Sequence, residues 1–178
     1  MKREEAVMDC SKTQATEPWP GVRIGKLIRR NLWLYIPTNL VFNTLVAYFN
    51  FEDPTAVYLF RGEQHFARFL LPMALLLPFI ISFDILKKTI DMAEKEDVGF
   101  QLPQPFAKYR FITKIATVHT LMASVPIGLV LLLLPAERPY DGRVLAVILG
   151  FLAALLAAAF VWLSIKKLRG VVEVNKKP

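Results

Sequence analysis

The sequence predicts an all-α membrane protein: four transmembrane helices in an antiparallel bundle, with the N- and C-termini cytoplasmic. Three observations lead there. Of the 178 residues, 54% are hydrophobic and 21% charged, whereas a soluble domain runs near 45–50% apolar with about a quarter charged. The apolar residues fall into four long blocks with almost no charge inside them. The basic residues, in turn, crowd into alternate gaps between those blocks. Together these exclude a soluble globular enzyme, a disordered chain, a collagen-like repeat and a disulfide scaffold.

Residues 1–31 form a cytoplasmic segment in this reading. Its start, MKREEAVMD, has no apolar core, so a secretory signal is not expected. Cys10 is the single cysteine, which leaves no internal disulfide, no cysteine-built zinc site and no CxxC pair. A free thiol in a reducing cytoplasm is the expectation, with palmitoylation as the alternative. From Trp19 to Arg30 the chain mixes Val22, Ile24, Leu27 and Ile28 with Arg23, Lys26 and Arg29. That pattern suits either a short helix in the headgroup layer ahead of the first span or a plain basic flank.

A hydrocarbon core of about 30 Å needs about 20 apolar residues in helical form. The first span, 32–51, has that length and no charged side chain. The second, 69–86, is interrupted only by Asp84. The third, 115–135, is charge-free with His119 neutral, and the fourth, 144–165, is the most uniformly apolar. Residues 166–178 form a basic cytoplasmic tail, and 32–165 the transmembrane domain.

Orientation follows from counting Lys and Arg between spans. Residues 1–31 hold seven, 84–114 six and 166–178 five, against two each in 52–68 and 136–143. Thus 18 of 22 lie on one side, which the positive-inside rule assigns to the cytoplasm. The net charge of +7 is read as these flanks, and no nucleic-acid partner is expected. The expected location is the plasma (inner) membrane, multi-pass.

A shift of 79 residues lays the first helical pair over the second. Ala74, Leu76 and Leu77 meet Ala153, Leu155 and Leu156, Phe83 meets Trp162, and Lys87–Lys88 meets Lys166–Lys167. Two duplicated hairpins of like orientation would be related by an axis along the membrane normal. A chance match within a restricted composition is the alternative.

Polar groups inside hydrocarbon need partners and are the natural site candidates. Tyr35, Asn39, Asn43 and Asn50 recur along the first span. Thr113, Thr117, Thr120 and Ser124 line one face of the third, with His119 beside them. These residues serve interhelical packing in one reading and a polar path in the other. His119 is expected neutral and bonded to a threonine or asparagine. Asp84 has Lys87 and Lys88 three and four residues on, an ion pair at the headgroup boundary. Farther along, Asp91 and Lys95 stand at i,i+4. Gly150, Ala154 and Ala158 repeat every fourth residue, a small-residue seam for a close-packed helix of this bundle or of a partner.

No phosphate-binding glycine loop, GxSxG or HExxH occurs. Neither an enzyme, a metal site nor a cofactor is expected. The functional expectation is a non-catalytic accessory or regulatory subunit of a larger membrane complex, its partners the lipid bilayer and another membrane protein or a second copy. A small transporter or channel, with a polar path between the first and third helices, is the alternative.

Overall fold

The structure, a computed structural model, describes residues 20–94 and 106–174. Four helices account for most of them: α1 (Pro20–Asn50), α2 (Phe66–Glu94), α3 (Lys108–Leu133) and α4 (Gly142–Val174). Each contains a stretch long and apolar enough to cross a membrane. Among the described residues there is no strand, only an isolated bridge between Val57 and Tyr140.

The helices exceed the apolar blocks at most ends. A helix satisfies its backbone hydrogen bonds internally, in lipid or water, so it has no reason to stop where hydrophobicity does. Hence residues 20–31 are the opening turns of α1 itself, continuous with the span. Pro37 accordingly lies deep inside α1, and Pro72, Pro78 and Pro126 are likewise interior to their helices. Trp19, Cys10, Gly99, Pro103 and Pro105 lie outside the described residues, as does Lys95, the sequence-level partner of Asp91. Asp91 accepts from Lys108, which also reaches Glu94 at 2.8 Å and so ties the start of α3 to the end of α2.

α2 and α4 form the centre. α1 packs along α4, α3 packs along α2, and α2 packs on α4. Contacts between α1 and α2, and between α3 and α4, are slight. The pattern is unchanged when α1 is exchanged with α3 and α2 with α4. Burial in the two central helices keeps the same register. Ala67, Leu70, Ala74, Ile81, Leu86 and Thr89 are buried, and so are Ala146, Leu149, Ala153, Phe160, Ile165 and Leu168, each 79 residues later.

At the weakly charged end, the two loops clasp one another. Val57 and Tyr140 exchange both backbone hydrogen bonds at 2.9 Å, and the Gly142 amide donates to the Pro54 carbonyl at 2.8 Å. Loop 51–65 thereby holds the first turn of α4 against the end of α1. Thr55 donates its amide and hydroxyl to Asp53, which holds that exposed carboxyl below the usual carboxylate range. Deeper, α1 and α4 approach so closely that a Cβ on Gly150 would sit 1.9 Å from Thr44 Oγ1 and 2.6 Å from the Leu40 carbonyl oxygen.

Candidate functional site

Two polar assemblies sit within the apolar helices, one buried and one opening at the basic end. The buried one joins α2 to α3. Ser82 and His119 are fully or almost fully enclosed, and Ser82 Oγ lies 2.8 Å from His119 Nδ1. The imidazole lies 5.0 Å from the Phe160 ring of α4. A serine therefore takes the role expected of a threonine or asparagine. The sequence offered a signal, a lone hydroxyl among Ile80, Ile81 and Phe83, but its partner depends on how α2 and α3 register.

The second assembly joins α1 to α2. The Tyr35 hydroxyl donates to Asp84 Oδ2, and Lys88 Nζ donates to the same oxygen at 2.6 Å. Lys88 also sits 5.9 Å from the centre of the Tyr35 ring. Of the two candidate lysines, geometry favours Lys88, because an i,i+4 pair lies more nearly one above the other. Tyr35 as a partner of Asp84 was invisible to local spacing, since 49 residues separate them. The Asp84 and Lys88 side chains are 37% and 46% exposed, which weakens their attraction. Asp84→Asn is accordingly expected to lower unfolding free energy by less than about 1 kcal/mol in thermal denaturation.

Beside this pair, a groove of about 550 Å³ opens between α1 and α2, lined by Leu27, Arg30, Asn31, Trp33, Leu34 and Lys88. Asn31 is buried there.

The asparagines of α1 turn back on their own helix. Asn31, Asn39, Asn43 and Asn50 each donate an amide hydrogen to the carbonyl four residues earlier, at 2.7–2.9 Å. Asn39 and Asn43 are half-buried, and Thr38 and Asn50 are exposed. On α3 the polar stripe divides: Thr113 and Thr117 are exposed, while Thr120 and Ser124 are half-buried. Among the described residues, Thr120 Oγ1 and, on α4, Ser164 Oγ are buried without a hydrogen-bond partner.

These two stripes are not brought together. α1 and α3 do not pack on one another among the described residues; α4 and α2 intervene. Asn39 and Asn43 are therefore not packed against Thr117, Thr120 and Ser124 within one copy. The physical reason is that Gly150 admits α1 to α4 while Ser82–His119 fastens α3 to α2, so the two outer helices end on opposite sides. The small-residue seam likewise finds its partner inside the chain: Gly150 meets Leu40 and Thr44 of α1, Ala154 is buried, and Ala158 is half-buried.

Among the described residues no three His, Cys, Asp or Glu side chains converge. His65 lies in loop 51–65, its Nδ1 3.0 Å from the Gly62 carbonyl oxygen, at the end away from Asp84 and Lys88. Comparison of the chain with protein-family models, curated proteins and solved structures finds no match.

Proposed function

We propose that the chain is a multi-pass plasma-membrane protein and a non-catalytic accessory subunit, docking α1 against a transmembrane helix of a larger membrane complex. One observation carries this. The least apolar of the four helices is also the least buried: the α1 stretch has a mean hydropathy of 1.2 with 6% of it buried, against 2.9 and 50% for α4. Burial within a membrane protein ordinarily shelters polar positions and leaves the most apolar ones to lipid. α1 inverts that order. Its asparagines satisfy one amide hydrogen each on their own backbone, but an amide carries a second hydrogen and an acceptor oxygen. A partner helix over α1 supplies what lipid lacks.

The remaining particulars of the proposal are an antiparallel four-helix bundle with both ends cytoplasmic, and descent of its two hairpins from one duplicated unit. The exchange-symmetric packing and the shared burial register of α2 and α4 support the duplication. The clustering of basic residues at the ends of α2 and α4 supports the orientation.

The test is cross-linking in native membranes from a photoreactive residue at Phe42, on the exposed face of α1, with Val130 of α3 as a lipid-facing control. Position 42 is expected to give a single protein adduct of fixed stoichiometry, and position 130 none. Asn43→Leu is expected to reduce that adduct several-fold while the amount of inserted chain stays unchanged. Lipid adducts alone from both positions defeat the proposal, and an adduct between two copies replaces the foreign partner with self-association.

A further inference from the structure

We infer that the groove between α1 and α2 at the basic end is a binding site for the headgroup of an anionic phospholipid. Arg30 and Lys88 stand on its two walls, Asn31 is buried within it, and Leu27, Trp33 and Leu34 supply apolar flanks. This inference is separate from the docking of α1: it rests on the side of the helix that faces α2.

The shape comes from the slight contact between α1 and α2. The two helices are drawn together by Tyr35 and Asp84, each one helical turn deeper than Asn31 and Lys88. Leu27, Arg30, Asn31 and Lys88 of the groove's lining lie a turn or more toward the basic end from that contact. Lys88 is partly neutralised by Asp84. Arg30 has no carboxylate partner among the described residues, so the site keeps an excess positive charge. A guanidinium matches two phosphate oxygens at once, which an ammonium does not. Basic pockets between helices at a membrane face bind phosphate headgroups on these grounds.

Depth decides between a lipid phosphate and a soluble anion. Leu34 lies one turn below Arg30, and Trp33 is 77% exposed. An occupant therefore meets cations at its head and apolar side chains immediately beneath, the layout of a phosphodiester joined to acyl chains. Tryptophan also favours this interfacial depth.

The test uses Trp33 as the reporter. With Trp19→Phe and Trp162→Phe in place, Trp33 is the remaining tryptophan of three. The full chain is reconstituted in phosphatidylcholine vesicles containing acyl-brominated phosphatidylglycerol or acyl-brominated phosphatidylcholine, and quenching yields the relative association constant at Trp33. Phosphatidylglycerol is expected to be preferred about fivefold, the factor for one cation near a membrane surface. Arg30→Gln should abolish the preference and Arg30→Lys restore part of it, with helix content unchanged because Arg30 is exposed. Equal quenching by the two lipids overturns the inference, and so does a preference that survives Arg30→Gln. Relief of phosphatidylglycerol quenching by inorganic phosphate would identify a soluble anion as the ligand and overturn the lipid assignment.

Discussion

Gly150→Leu is expected to separate α1 from α4 and to leave a chain that inserts but no longer resists unfolding. The reason is geometric. Even a single Cβ at this position would lie 2.6 Å from the Leu40 carbonyl oxygen, a backbone atom fixed in the interior of α1. Thr44 Oγ1, 1.9 Å away, can rotate aside; the carbonyl cannot without moving its helix. In lipid the association of helices rests on close packing and interhelical hydrogen bonds, because the surrounding tails are as apolar as the side chains. Displacing α1 therefore loses most of what holds it. Gly150→Ala should cost about 1–3 kcal/mol, the usual range for overpacking a tight site, and the leucine variant more. Thr44→Ala in the Gly150→Ala background should recover part of the loss, since it removes one obstruction and leaves the other. Gly128→Ala is the control: its Cβ would meet nothing within 4 Å, so helix propensity leaves it neutral or slightly stabilised. Chemical unfolding in mixed micelles measures all four. Equal losses for Gly128→Ala and Gly150→Ala would show that α1 and α4 are not held by this contact.

What was legible in the sequence divides along a physical line. The four helices and their approximate places could be read because twenty apolar residues in a row have one stable solution in lipid, and no tertiary detail alters it. Gly150 was legible as a close-approach position for a similar reason. Its partner was not, because a glycine signals proximity without saying whose helix arrives. The Tyr35–Asp84 contact and the Ser82–His119 pair were illegible because each depends on the relative rotation and depth of two helices far apart in sequence. Pairing the first helix with the third failed on the same ground. Both stripes are polar, but polarity alone does not say which neighbouring helix meets a stripe, and α1 packs along α4 rather than α3.

Ser82→Ala is expected to cost more than His119→Phe, although serine is much the smaller side chain. With the serine hydroxyl gone, His119, which is 3% exposed, keeps a buried ring nitrogen with nothing to bond. An unsatisfied buried polar group costs about 1–3 kcal/mol. The reverse deletion is milder. A serine hydroxyl on a helix has its own i−4 carbonyl within reach and does not need a distant partner. Phenylalanine at 119 also preserves a ring against Phe160, where such contacts are worth about 0.5–1.5 kcal/mol. The double variant should then unfold close to His119→Phe, because the histidine that made Ser82→Ala costly is absent. The order of the three values is the measurement, read by unfolding in the same micelles; a larger loss for His119→Phe than for Ser82→Ala contradicts it. The same variants discriminate between functions. A proton or ion path through α2 and α3 would need the imidazole itself, so His119→Phe would abolish flux in a folded protein. For an accessory subunit that docks through α1, the photoreactive adduct at position 42 should survive His119→Phe unchanged, since neither α2 nor α3 carries that face.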